Sequence, residues 1–135
     1  MSLTPSTVLA YLGDAVMSLQ VREYLIDKGL VNPKKLLEAS IHFVSAKSQA
    51  EFMKLILEEE LLSDQEFKIY RRAYNHKFTS KAKNVDFMAY KYATGLEALW
   101  GYWYQQNQVE RLEQMWDKYK SVVEGKHETI HLLQE

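Results

Sequence analysis

The chain contains no cysteine, only two prolines and only five glycines in 135 residues. Without cysteine, neither a disulfide framework nor a thiolate zinc site can form, and a reducing, intracellular compartment is the natural expectation. No uninterrupted apolar run approaches the roughly 20 residues needed to cross a bilayer. The N-terminus also lacks a basic region followed by an apolar stretch and a small-residue cleavage site. A cytoplasmic protein without a membrane partner is expected. There is no nucleophile elbow, no phosphate-binding glycine loop, no internal repeat and no alternating strand pattern of useful length. What is present is a chain of single-domain length with 47% hydrophobic residues, enough to bury a real core.

The punctuation is all-helical. Thr4-Pro5 reads as a cap and first-turn proline for a helix through Val8, Leu12, Ala15, Val16 and Leu19 that ends near Gly29. Asn32-Pro33 opens a second helix, Ser45 caps a third, and Ser63 with Glu66 forms a capping box for a fourth. Residues 75–84 lose periodicity and read as a mobile basic loop. A helix from about Asp86 to Tyr104 follows, apolar enough that its middle must be buried. Asn107 and Glu110 resemble the start of a last helix carrying Leu112, Met115, Trp116 and Tyr119. The expected fold is all-α, a single domain over residues 1–125, with 126–135 set apart as a tail without clear pattern and a candidate for disorder.

Net charge is only -1, yet it is segregated. Between Phe67 and Val85 stand Lys68, Arg71, Arg72, Lys77, Lys81 and Lys83, with His76 and no acid, just after the acidic run Glu58, Glu59, Glu60, Asp64 and Glu66. Such a segment is either a solvated basic helix and loop or a face for a polyanion.

Two carboxylates lie in otherwise apolar helical segments, Asp14 in Tyr11-Leu12-Gly13-Asp14-Ala15-Val16 and Glu97 in Thr94-Gly95-Leu96-Glu97-Ala98-Leu99. An ionised acid enters such surroundings only with a cation, a partner charge or strong hydrogen bonds. Gly13 costs roughly 1 kcal/mol in a helix interior and allows a close approach beside Asp14, and Gly95 and Gly101 bracket Glu97 in the same manner. If the two helices pack, the acids meet. Two carboxylates suit Mg2+ or Mn2+, completed by water and substrate phosphate, and that chemistry fits phosphodiester hydrolysis. The other reading is a structural ion pair with Arg22 or Lys47. His127 and His131, spaced i, i+4 in the tail, lack the further ligands of a zinc site, and the tryptophans and tyrosines at helical spacing read as core rather than base-stacking platforms.

Leu9-Ala10-Tyr11-Leu12-Gly13-Asp14-Ala15-Val16 resembles the signature helix of the ribonuclease III family, and Leu96-Glu97-Ala98-Leu99-Trp100-Gly101 resembles its second acidic motif. The stretches Phe43 to Ala50, Arg71-Arg72-Ala73-Tyr74-Asn75 and Lys83-Asn84-Val85-Asp86 with Tyr90 are similar to the Mini-III branch. The resemblance runs in order through roughly residues 5 to 123. It implies a helical domain of about six to seven helices, paired as a two-fold homodimer, that cuts double-stranded RNA with Mg2+, for which Mn2+ can substitute. Asp14 and Glu97 would be the catalytic metal ligands, and Arg71, Arg72, Asn75, Lys77, Lys81, Lys83 and Asn84 the RNA-binding set. Lys77 and Lys81 rest on local charge alone. For the Mini-III branch the implied substrate is precursor ribosomal RNA, at the ends of the 23S large-subunit RNA.

The wider family also has acids seven residues before the first aspartate, three before the glutamate, and near the start of the second helix; here Thr7, Thr94 and Pro33 stand in those places. These departures keep open a rival expectation, a ribonuclease III-like dimer that holds RNA in ribosome assembly without cutting it. At this length no separate double-stranded RNA-binding domain like that of full-length relatives is expected, so the basic segment is expected to do more of the holding.

Overall fold

A computed structural model describes residues 4–77 and 85–134, with side chains over 4–77 and 86–125. Lys81, Lys83 and Asn84 of the expected RNA-binding set lie outside the described residues, as do the side chains of His127 and His131. The described residues form six helices and no strand: α1 (Ser6–Asp27), α2 (Pro33–Val44), α3 (Ala46–Glu58), α4 (Asp64–Tyr74), α5 (Val85–Gln105) and α6 (Val109–Gln134).

Local chemistry accounts for most of the boundaries. The Asn32 side chain accepts from the amides of Lys34 and Lys35 at 2.9 and 3.2 Å, with Pro33 in the first turn. Ser45 accepts from the Ser48 amide at 3.2 Å. Ser63 and Glu66 satisfy one another's backbone amides in a complete capping box. Gly29, at φ 94°, closes α1, with the Leu30 amide reaching back to the Leu25 carbonyl.

Three local expectations are corrected. Thr4 does not cap α1, whose N-cap is Pro5; the Thr4 hydroxyl lies 3.0 Å from Gln105 Oε1 and ties the start of α1 to the end of α5. Asn107 does not cap α6. It adopts φ 55° and closes α5, with the Gln108 amide bonded to the Trp103 carbonyl. Asparagine suits both an N-cap and a left-handed C-cap, so its spacing to Glu110 was not diagnostic. Finally, α6 continues through Gly125 to Gln134, because one glycine costs a helix only about 1 kcal/mol.

The longest apolar helix sits in the middle. α5 packs against α1, α3 and α4, and its Leu96, Ala98, Leu99, Trp100 and Trp103 are fully buried with Phe52, Met53 and Ile56 of α3 and Tyr119 of α6. The indole nitrogens are paired: Trp100 donates to Gln20 at 2.7 Å and Trp103 to Glu66 at 2.7 Å. Glu66 thus holds more than the start of α4. It also receives Arg111 of α6 in two hydrogen bonds of 2.8 and 2.9 Å. Burial pushes its carboxyl up, but the Arg111 guanidinium, the Ser63 amide and the Trp103 indole together hold it below the usual carboxylate range.

Candidate active site

The site is set by two glycines. A Cβ on Gly13 would stand 1.8 Å from the Glu97 carbonyl oxygen, and one on Gly101 would stand 1.9 Å from the Leu9 carbonyl oxygen. The backbones of α1 and α5 therefore touch, which no other residue type permits. Asp14 follows Gly13, and Glu97 lies one turn before Gly101, so the contact that excludes side chains brings the two acids together. Gly95 does something different: its missing side chain makes room for the Tyr70 ring of α4, which a Cβ would approach to 2.5 Å.

Asp14 and Glu97 line an open depression of about 310 Å3 with Thr7, Tyr11, Tyr90 and Thr94. Glu97 is half-buried, whereas Asp14 is exposed. The expectation of two acids in apolar surroundings is corrected for Asp14, because its neighbours Tyr11 and Ala15 also face outward. Burial pushes the Glu97 carboxyl up to about 8, and its hydrogen bond with Asp14 and the Asp14 charge add to the rise. Among the described residues the ion pairs are Lys28 with Glu124, Arg111 with Glu66 and Lys120 with Asp117, and neither Arg22 nor Lys47 is paired with either acid. Within the described residues the acids face each other without a salt-bridged cation. Two carboxylates lining one depression are hard oxygen donors whose mutual repulsion a divalent cation would relieve, so the pair fits Mg2+ or Mn2+.

A pH dependence follows for the metal-free protein. Glu97 has its ordinary value of 4.5 when unfolded and about 8 when folded, so the folded state binds the extra proton. The stability this contributes is fully present below about pH 4.5 and is lost as pH rises through 8. Melting in EDTA should show Tm falling between pH 5 and 8, with Glu97→Gln flattening the slope. A wild-type Tm level over that window, or an equal slope in Glu97→Gln, would contradict the arrangement. The lowered value of Glu66 acts below this window and leaves the test clean.

The basic residues form a separate surface. Arg71 and Arg72 are exposed in the last turn of α4, followed by exposed Asn75, His76 and Lys77; none of them lines the depression. Sequence reading missed two lysines beside them. Lys91 of α5 lies 4.4 Å from the Tyr74 ring centre, and Lys54 of α3 lies 5.2 Å from that of Tyr92, which packs on Tyr74. Tyr90, singled out in the sequence only for its likeness to the Mini-III branch, also lines the depression, since Tyr90, Thr94 and Glu97 recur at helical spacing on one face of α5.

This helical fold, with acids from α1 and α5 meeting over a glycine contact, defines a class. The ribonuclease III domain matches residues 7–108, and the chain belongs to the ribonuclease III family. It is 44% identical over 107 residues to Mini-ribonuclease 3 of Streptococcus pneumoniae, covering 79% of this chain and 84% of that one. It is 41% identical over 124 residues to Mini-ribonuclease 3 of Brevibacillus brevis, covering 92% and 91%. An X-ray structure of a Fusobacterium nucleatum protein is similar at 31% identity and a TM-score of 0.73, covering 83% of this chain and 89% of that one. No helix among the described residues is long and apolar enough to cross a membrane.

Proposed function

We propose that the chain is a divalent-cation-dependent endoribonuclease that cuts double-stranded RNA, with Asp14 and Glu97 as its metal ligands. The observation that carries this reading is the meeting of those carboxylates from α1 and α5 in an open depression. When bound there, Mg2+ or Mn2+ supplies charge neutralisation at the scissile phosphate and activation of a water. The protein's part is positional. Gly13 and Gly101 fix the separation of the two acids, exposed Asp14 reaches the solvent side, and half-buried Glu97 closes the floor. Arg71, Arg72, Asn75 and Lys77, together with Lys81, Lys83 and Asn84, hold the RNA through phosphate and 2′-hydroxyl contacts. The substrate in this proposal is precursor ribosomal RNA, at the ends of the large-subunit RNA, as the resemblance of Arg71 to Asn75 and of Lys83 to Asp86 to the Mini-III branch implies. The catalytic domain comprises residues 1–125 of a cytoplasmic protein.

The active form in this proposal is a two-fold homodimer. Its support is an apolar stripe along α1 at helical spacing, Val8, Tyr11, Ala15, Leu19 and Ile26, that the fold leaves exposed; Tyr11 is 83% accessible. Such a stripe marks a surface that a second chain buries. Thr7 and Thr94, at the rim of the depression where the wider family has acids, favour the second reading, an RNA-holding dimer without catalysis.

The RNA surface is tested by Arg71→Ala with Arg72→Ala. Binding to a duplex in EDTA should weaken, and the slope of log K against log salt should shrink by about 2. An unchanged slope would remove α4 from the interface. Cleavage of precursor ribosomal RNA at discrete positions tests the substrate; random degradation alone would contradict it.

A further inference from the structure

The depression between α1 and α5 holds two carboxylates, and its polar lining also carries Tyr11, Tyr90 and two threonines, of which Thr94 is the more deeply buried. Thr94 lies one turn before Glu97 on α5 and is 7% exposed. Its hydroxyl donates to the Tyr90 carbonyl at 2.8 Å. That bond uses the hydroxyl's single proton and fixes the side-chain rotamer, so the oxygen can offer further partners nothing but lone pairs. Thr7 sits two turns before Asp14 on the same face of α1, half-buried at the other side of the depression.

A small hard dication requires near-octahedral oxygen and keeps several waters when the protein supplies only one or two carboxylates. Each of those waters is a strong donor and needs an acceptor held at a fixed place. The groups that orient such a shell matter for affinity almost as much as the direct ligands. A hydroxyl whose proton is already committed to its own helix is an acceptor of this kind. It also adds no charge beside the two carboxylates.

We infer that Thr94, assisted by Thr7 across the depression, positions the hydration shell of a single divalent cation held by Asp14 and Glu97, so that neutral oxygens do the work of additional acids. This rests on the reading of Asp14 and Glu97 as metal ligands. Both threonines are positioning residues: they touch water rather than the cation or the phosphate. Among the described residues two carboxylates line the depression, so one cation per chain is the expected stoichiometry.

The test counts Mn2+ bound to the RNA-free protein by electron paramagnetic resonance and titration calorimetry, with no cleavage assay involved. Wild-type protein should bind one Mn2+ per chain. Thr94→Val, which keeps the shape and removes the oxygen, should weaken Mn2+ binding about ten-fold, and Thr7→Val should weaken it in the same direction by less. Thr94→Ser, which keeps the oxygen, should stay within about three-fold of wild type, a small part of that range. Should valine perturb folding by circular dichroism, Thr94→Ala removes the same oxygen without added bulk against the core. Wild-type affinity in the hydroxyl-free variants would overturn the role of Thr94. So would an equal loss in Thr94→Ser and Thr94→Val, which marks packing rather than an acceptor. Two Mn2+ per wild-type chain would overturn the single-cation assignment. Wild-type Mn2+ affinity in Asp14→Asn would instead overturn the carboxylate reading beneath the proposal, as would the absence of saturable binding by wild-type protein.

Discussion

Gly13→Ala is expected to destabilise the protein by about 3 kcal/mol or more, the upper end of what overpacking a core costs, and to lower Tm by about 10 °C for a domain of this size. The reason is the distance of 1.8 Å between an added Cβ and the Glu97 carbonyl oxygen. Both partners are backbone, so no flexible side chain can yield; α1 and α5 must separate along a contact that is central to the core. Gly101→Ala meets the Leu9 carbonyl oxygen at 1.9 Å and should cost a similar amount. Because the two glycines share one contact, the double variant should cost less than the sum of the singles. Gly125→Ala is the control, since an added Cβ there meets nothing within 4 Å; it should be neutral or slightly stabilising by helix propensity. Thermal denaturation of the four variants checks this, and a Gly13→Ala protein melting with the wild type would contradict the contact.

Asp14→Asn is expected to lower the rate of duplex RNA cleavage by about a thousand-fold or more, or about 4 kcal/mol at 1.36 kcal/mol per ten-fold, while leaving the fold and RNA binding intact. The carboxylate is exposed and enters no salt bridge among the described residues, so its neutralisation leaves no buried charge stranded. What would be lost is one of the two charges proposed to hold the cation. Glu97→Gln should be equally inactive, but with an altered pH dependence of stability, because its proton is the one held to about pH 8. Single-turnover cleavage measured alongside melting separates loss of chemistry from loss of fold. Cleavage at the wild-type rate by a folded Asp14→Asn protein would contradict the assignment.

Features governed by neighbours along the chain were legible in the sequence: the caps at Asn32, Ser45 and Ser63, the stop at Gly29, and the aromatic stripe of α5 that became the core. The convergence of Asp14 and Glu97 was legible only as a condition: glycines beside both acids allow touching helices, which Gly13 and Gly101 provide, whereas Gly95 makes room for Tyr70. Features that depend on distant partners were not. Glu66 read as a cap alone, because Arg111 and Trp103 reach it only after folding. Asp14 read as buried because Tyr11, Ala15 and Leu19 are apolar, yet these face outward. A hydrophobic period on a helix does not distinguish a face meant for the core from one meant for a second chain. Asn107 misled because one residue type serves opposite ends of a helix.

The most direct measurement of the central claim is the length of a labelled RNA duplex after incubation with the purified protein, in Mg2+ and in EDTA, run on native and denaturing gels. In EDTA the RNA should be shifted but full-length, and in Mg2+ it should be cut to discrete shorter products. A duplex that is shifted but full-length under both conditions would contradict the account and identify a protein that holds RNA without cutting it.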